Sequence, residues 1–326
     1  MKDEKAIGGF FEYELISHIS RGQDALLFNS GRSALAYLLR SYEIDFIQIP
    51  YYTCDVVLEP LRSLGIEYDF YSLTQELLPD IGSGEIDIDR PILINNYYGI
   101  LDESLKTLPL KKAVIDNSQA MYSELNGGYG SFNSYRKFMG VPDGGEAKLG
   151  GPVKAILDYS EYPRYRCARN LDYLFGRLES GPEEYYDDFK GADKILEFSE
   201  IKRVSEVTLR SLDSVDQDRI VHQRIENFRL LEEGLERINQ VPLASISNRQ
   251  VPMAYPLLIE KGSSLRQKLI QERIFVPKFW PNQEILPKKG SYEEHLTENL
   301  LPLPIDQRYS ELEMSRILKT IEALGY

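Results

Sequence analysis

The stretch Ser131-Phe-Asn-Ser134-Tyr-Arg-Lys137-Phe-Met-Gly-Val-Pro-Asp143-Gly-Gly145 sets one lysine among aromatic and small side chains, just before a glycine-rich turn. Most lysines are solvated surface charges, and this setting is unusual for one. A lysine that bonds covalently to a carbonyl compound needs a partly desolvated site of this kind. Upstream, the apolar run Ala113–Ile115 ends in Asp116-Asn-Ser-Gln119-Ala120. An aspartate at the end of a strand is by default a turn residue. Farther upstream, Asn29-Ser30-Gly31-Arg32-Ser33-Ala34 is a polar turn that opens a helical pattern. Such turns are commonly no more than caps, although the free N–H groups of a helix start also favour a phosphate.

Between these motifs the chain alternates short apolar strands with helices. Strands are predicted at Phe46–Pro50, Glu67–Tyr71, Pro91–Asn95 and Lys112–Asp116, and helices at Arg32–Ser41 and Val56–Leu64. That alternation predicts a mainly parallel α/β sheet covered on both faces, with ligands beyond the carboxyl ends of its strands. In that position Asp116 has a second reading: a carboxylate that keeps a pyridinium nitrogen protonated so the ring accepts electrons, with Gln119 donating to the ring oxygen. From Ser205 to about Asn239 the pattern turns helical and charged. Within it Asp218–Arg237 carries Ile220, Ile225, Phe228, Leu231 and Leu235 along one side. Beyond it a strand at Pro256–Glu260, a helix at Ser264–Arg273 and a last helix at Ser310–Leu324 are predicted, the last with a capping box of Ser310 and Glu313. The expected division is a large unit at 1–230 and a smaller C-terminal α+β unit at 231–326.

Composition narrows the function. The chain has 326 residues, 42% of them hydrophobic, and a net charge of −13. That charge argues against nucleic acid or an anionic membrane as the main partner. Two cysteines and three widely spaced histidines offer no disulfide framework and no metal-ligand spacing. The N-terminal Met1-Lys-Asp-Glu-Lys does not read as a secretory signal, and no run is long and apolar enough to span a bilayer. A cytoplasmic protein without a metal is the expectation.

Taken in order and spacing, the three motifs resemble the DegT/DnrJ/StrS family of sugar aminotransferases, which depend on pyridoxal 5'-phosphate (PLP). Ser30-Gly31-Arg32 takes the place of that family's phosphate-binding Ser-Gly-Thr turn. Asp116, Gln119 and Ala120 match its Asp-x-x-Gln-Ala, and Lys137 followed by Asp143-Gly144-Gly145 matches its lysine and acidic-Gly-Gly run. Further likeness lies in Pro50-Tyr-Tyr-Thr53, Asn96-Tyr-Tyr98-Gly99, Val204-Ser205-Glu206 and Leu301-Pro-Leu303-Pro304. The resemblance covers about Ile7 to Leu324. It implies a three-layer aspartate-aminotransferase-like fold and a homodimer with active sites at the subunit interface. It also implies an amino donor such as glutamate and a nucleotide-linked keto-sugar as acceptor, in surface polysaccharide or related biosynthesis.

By that resemblance Lys137 and Asp116 are the catalytic pair. Ser30, Gly31, Arg32, Thr53, Cys54, Gln119 and Ser134 complete the cofactor site. Tyr97, Tyr98, Arg164 and Lys278 are the substrate candidates, with Arg166 a further diphosphate candidate. The chain also departs from the family pattern. Cys54 stands where an aromatic residue stacks on the cofactor, so Tyr52 or Tyr97 is expected to substitute. Phe132 stands where the family has a serine, leaving Ser134 or Ser131. Ile201-Lys202-Arg203 replaces Asn-Tyr-Arg, with Lys202 or Arg203 as a possible phosphate contact. A sugar dehydratase on the same scaffold carries histidine in place of the lysine, which Lys137 argues against. A pseudoenzyme that keeps the fold for binding is the other alternative. The segment from Lys148 to Arg203 has no assignment beyond an expected substrate-facing role.

Overall fold

The apolar runs between turn signals become the strands of one central sheet. The computed structural model describes residues 7–9, 26–243, 246–247 and 250–326. In chain order its strands are β1 (Ile7–Gly8), β2 (Leu26–Phe28), β3 (Phe46–Pro50), β4 (Glu67–Tyr71), β5 (Ile92–Asn95), β6 (Ala113–Asp116), β7 (Gly130–Ser134), β8 (Gly145–Lys148), β9 (Ala254–Leu258), β10 (Ile274–Phe275) and β11 (Leu300–Pro304). Seven of them form a sheet in the order β2-β8-β7-β6-β5-β3-β4. Strands β3 to β7 pair in parallel, and β8 and β2 join antiparallel at one edge. The expected strands β3 and β4 keep their bounds, while those beginning at Pro91 and Lys112 start one residue later. Pro91 still serves the sheet through its carbonyl, which accepts the Gln48 N–H at 2.9 Å.

Alternation along the strands sorts the core into two layers. Ile92, Ile94, Ala113 and Ile115 face a cluster that includes Phe228, Leu231 and Leu257. Leu93 and Val114, one residue out of phase, face Leu35, Leu38 and Leu39 of the helix Gly31–Ser41 on the opposite side. Central parallel strands are thus apolar on both faces, as a sheet covered by helices requires. Truncating a buried leucine such as Leu38 to alanine costs about 2–5 kcal/mol.

The helical stretch expected from Ser205 to Asn239 is divided. Helix Glu206–Ser214 ends at Val215, which is extended. Asp216 then caps a new helix, Gln217–Leu235, by accepting the Arg219 N–H at 2.9 Å. Its buried face contains Ile220, Ile225, Phe228, Leu231 and Leu235, the face read from the sequence. The segment expected as the helix Val56–Leu64 is a 3-10 turn at Asp55–Val57 running into the helix Leu58–Ser63. Toward the C-terminus, β9 lies two residues before its expected bounds and pairs antiparallel with β11. The helices there are Gly262–Gln271, Tyr292–Asn299 and Glu311–Ala323, the last with the Ser310–Glu313 capping box. Short β1 pairs in parallel with β10 and ties residues 7–8 to this region.

Candidate functional site

Four parallel strands deliver the site from their carboxyl ends. Just beyond β3 stand Thr53 and Cys54, at the end of β5 Asn95 and Asn96, and at the end of β6 Asp116, Ser118 and Gln119. After β7 comes Ser134, then the 3-10 turn Tyr135–Lys137. Together with the helix start at Ser30, Gly31 and Arg32, they line a cavity of about 350 Å³. Because β6 and β7 are neighbours, with Asp116 opposite Phe132, two segments 21 positions apart in the chain converge on one pocket.

Asp116 and Lys137 interact electrostatically inside it. Burial pushes the Asp116 carboxyl above its ordinary pKa, while the Lys137 charge and the Ser118 N–H, at 2.7 Å from Oδ1, pull it back. A carboxylate so placed is suited to a buried cation. Asn95 donates to Thr53 Oγ1 at 2.9 Å, but its Oδ1 is buried and has no hydrogen-bond partner among the described residues. An acceptor left open at a cavity wall is a place for a donor on a bound molecule. Gln119 Oε1 accepts the Tyr98 N–H at 2.8 Å, which fixes the amide and leaves its NH₂ as the donor.

The helix start gathers hydrogen-bond donors at the cavity wall. Ser30 is the N-cap of Gly31–Ser41, its Oγ accepting the Ser33 N–H at 3.1 Å. A Cβ on Gly31 would lie 3.2 Å from the Asn133 carbonyl and 3.6 Å from Ser118 Oγ and from Ser134 Cβ, so two hydroxyl side chains crowd this turn. Free N–H groups, hydroxyls and the helix dipole are the donor set a phosphate takes. Arg32 also lines the cavity, but its Nη1 is paired with Glu59 at 2.7 Å.

The Asp143-Gly144-Gly145 run works on the scaffold rather than in the cavity. Asp143 is buried and accepts the Ser205 N–H at 2.8 Å and the hydroxyls of Ser205 and Thr208. It thereby anchors the start of the helix Glu206–Ser214. Gly144, at φ +127°, donates its N–H to the Asn29 carbonyl at 3.0 Å. A Cβ on Gly145 would come within 2.5 Å of the Ser30 backbone, so only glycine lets β8 pass this close to the helix start. Two motifs of the sequence, Asp143-Gly-Gly and Val204-Ser205-Glu206, are two halves of one hydrogen-bonded joint.

Several expected site residues lie elsewhere. Tyr97 and Tyr98 are 1% and 0% exposed and belong to the core, and neither they nor Tyr52 line the cavity. Tyr97 donates to the Tyr52 carbonyl at 2.5 Å, and the Tyr52 and Tyr98 hydroxyls are 3.1 Å apart. The substrate expectation for Tyr97 and Tyr98, and the stacking expectation for Tyr52 or Tyr97, are therefore corrected: packing against the C-terminal elements seals these rings in. The rings that do line the cavity are Phe132, Phe189, Phe279 and Trp280. Arg164 is also corrected. It lies outside the cavity, 3.6 Å from Glu206, with Nη1 donating to the Val204 carbonyl. Lys278 and Arg166 are exposed and lie outside it too. Ser134 lines the cavity and Ser131 does not. Lys202 and Arg203 do not either, Arg203 donating from Nε to the Tyr162 carbonyl at 2.7 Å. Cys54 lines the cavity as a thiol, its pKa raised by burial.

Sequence reasoning missed Arg136, Phe189 and Asp193. The last two belong to the helix Tyr186–Ile195, within the segment given only an expected substrate-facing role. Arg136 pairs with Asp193 at 2.7 Å. An arginine directly before the lysine was the one available signal, and it was overlooked. No group of residues suited to hold a metal ion occurs among the described residues. Nor is any helix among them long and apolar enough to cross a membrane.

No protein-family model matches the sequence, and no curated protein matches it. Solved structures do. A DegT DnrJ EryC1 StrS aminotransferase from Brucella abortus superposes with a TM-score of 0.63 at 16% identity, over 93% of this chain and 86% of that one. The chain has the fold of these aminotransferases. The putative sugar aminotransferase Spr1654 from Streptococcus pneumoniae, in its PLP form, gives a TM-score of 0.64 at 16% identity over 92% and 86% of the two chains. The sugar aminotransferase CalS13 from Micromonospora echinospora gives 0.59 at 15% over 93% and 87%. At these identities the likeness is one of fold, and the chemistry rests on the residues of the cavity.

Proposed function

We propose that the chain is a PLP-dependent aminotransferase of the DegT/DnrJ/StrS type, a divergent one. In this reading it moves an amino group from a donor, glutamate in the first instance, to a nucleotide-linked keto-sugar for surface polysaccharide or related biosynthesis. The observation that carries the reading is the convergence of Asp116 and Lys137 on one cavity that the Ser30–Gly31 helix start also lines. The donor set fits the cofactor: a buried carboxylate suits a ring nitrogen that carries a proton, and the hydroxyls and N–H groups suit a phosphate.

PLP, when bound, supplies an aldehyde for the lysine and a ring that accepts electrons. Asp116 holds the proton on the ring nitrogen. Ser30, Gly31, Ser118 and Ser134 hold the phosphate, with Arg32 adding charge shared with Glu59. Gln119 donates to the ring oxygen from its amide NH₂. Lys137 Nζ would hold the cofactor, and its amine would take the proton at the donor Cα and return one at the acceptor carbon. Phe132, Phe189, Phe279 and Trp280 exclude water. Residues 1–230 form the large cofactor-binding unit and 231–326 the small one. The protein works as a homodimer in the cytoplasm, its active sites at the subunit interface.

One observation favours a second reading, a binding protein without catalysis: Glu59 already occupies the arginine of the phosphate cradle. Borohydride decides between the two. Purified protein loaded with PLP is expected to be yellow, to bleach on reduction and to carry a pyridoxyl group on Lys137 by mass spectrometry. Adding glutamate before reduction is expected to shift the absorbance and abolish the label. A colourless protein that ignores added PLP refutes the enzyme reading.

A further inference from the structure

Arg136, the residue before Lys137, lines two cavities. One is the cavity described above. The other, of about 240 Å³, lies toward β11, and the two share Arg136, Lys137, Phe189 and Phe279. Arg136 and Lys137 thus border both cavities.

The Arg136 guanidinium interacts with the Asp193 carboxylate and with the Tyr173 hydroxyl. Its side chain is 14% exposed, and Nη1 meets Asp193 Oδ1 at 2.7 Å. Its Nε is buried and has no hydrogen-bond acceptor among the described residues. A planar fork with five donors is built for two parallel bonds to one carboxylate, and a buried donor left open is costly. Asp193 stands on the helix Tyr186–Ile195, in which Ala192 is the one buried residue, and its own side chain is 51% exposed. The helix packs through Ala192 and Phe189 against Tyr173 and Leu174, while the Asp193 carboxylate stays half-exposed.

We propose that Arg136 binds the carboxylate of the reacting amino acid, and that Asp193 is an internal stand-in which that carboxylate displaces. This rests on the reading of Lys137 as the cofactor lysine. A carboxylate is favoured over a sugar-nucleotide diphosphate for two reasons. The α-carboxylate is one bond from the carbon that Lys137 must reach, and the arginine beside the lysine already accommodates a carboxylate. The second cavity also holds Arg224, Arg308 and Asp306, an excess of one positive charge that suits the far carboxylate of a dicarboxylic donor.

Glutarate tests this, since it carries two carboxylates and no amine to react. On PLP-loaded protein, calorimetry is expected to show glutarate binding that weakens at least about tenfold in Arg136→Gln, less in Arg136→Lys, and tightens about threefold or more in Asp193→Asn. UDP, as the diphosphate probe, is expected to bind Arg136→Gln and the parent protein alike. Amide hydrogen exchange over 186–195 is expected to speed up when glutarate binds, as the Asp193 tether is released. Equal glutarate affinity in the parent and Arg136→Gln overturns the proposal. So does loss of UDP in place of glutarate, or no glutarate binding by either the parent or Asp193→Asn. If Arg136→Gln does not fold, Arg136→Lys and Asp193→Asn decide the same question. PLP uptake, read from absorbance on the same samples, separates the two failures. A parent protein that takes up no PLP sinks the enzyme reading and this proposal with it, whereas loaded variants that bind glutarate alike sink this proposal alone.

Discussion

Asp116 closes β6 and Lys137 closes the turn after β7, so two adjacent parallel strands present an acid and an amine to one cavity, and the lysine's charge offsets part of the rise that burial gives the aspartate's pKa. The pairing follows from sheet topology: parallel neighbours release their loops at the same edge.

Asp116→Asn separates stability from chemistry. Burial raises the folded-state pKa of Asp116, so the stability tied to its protonated form is fully present below the unfolded pKa and is lost as pH rises through the folded value. Above that value the cofactor-free protein carries an unfavourable buried charge. Asn keeps the acceptor for the Ser118 N–H and removes that charge. The apoprotein variant is expected to melt about 1–3 °C higher at pH 7, with the gain vanishing toward pH 4. Transamination is expected to fall by at least about 100-fold, since the ring nitrogen loses its partner. Thermal melts of the apoprotein at several pH values and single-turnover rates check the two halves.

Gly145→Ala is expected to disturb the phosphate cradle from behind. The added methyl meets the Ser30 backbone at 2.5 Å, where no flexible side chain yields. A cost of about 1–3 kcal/mol and weaker PLP binding are expected together. Urea unfolding and fluorescence titration with PLP measure them. A variant with unchanged stability and PLP affinity contradicts the close approach of β8 to Ser30.

Cys54 and Cys167 both have thiol pKa values raised by burial. The thiolate is the reactive form, so both are expected to alkylate more slowly than an ordinary thiol at pH 7.5. Because Cys54 lines the cavity and Cys167 does not, PLP is expected to slow the labelling of Cys54 alone. Mass spectrometry after iodoacetamide pulses, with and without cofactor, reads both rates.

Acid stability is expected to depend on Asp306. Burial alone would raise its pKa, but Arg308, at 2.7 Å, and Arg224 outweigh it and hold the carboxyl below its usual range. A depressed folded pKa contributes stability that is present above the unfolded pKa and lost as pH falls through the folded one. Asp306→Asn is expected to destabilise the protein at pH 7 by about 2–4 kcal/mol, because two arginines lose their buried counter-ion, and by less at pH 3. Denaturant unfolding at both pH values measures the difference.

The strands from Phe46 to Asp116, the cap at Ser30 and the capping box at Ser310 were legible because each depends on residues within a few positions of one another. Asp116 was legible as a motif at a strand end, and Lys137 as a lysine among aromatic and small residues before a glycine-rich turn. Tyr97 and Tyr98 misled: an aromatic loop after a strand reads as a binding loop, but its burial is decided by Trp280 and Phe279 packing over it from about 180 positions away. Arg164 misled in the opposite way, as a charge without a local signal that turned out to stand at the surface beside Glu206.

The sequence by itself therefore determined the strands between Phe46 and Asp116, the helix after Ser30 and the capped C-terminal helix, and singled out Asp116 and Lys137 as residues with unusual settings, since periodicity and caps are local properties of the chain. Only the tertiary structure decided that the unassigned helix Tyr186–Ile195 brings Phe189 and Asp193 to Arg136, that Glu59 takes up Arg32, and that Asp143 locks Ser205. Each of those contacts joins residues with no periodic relation to one another. Such pairs come into existence only when burial of the core brings distant surfaces within hydrogen-bond reach.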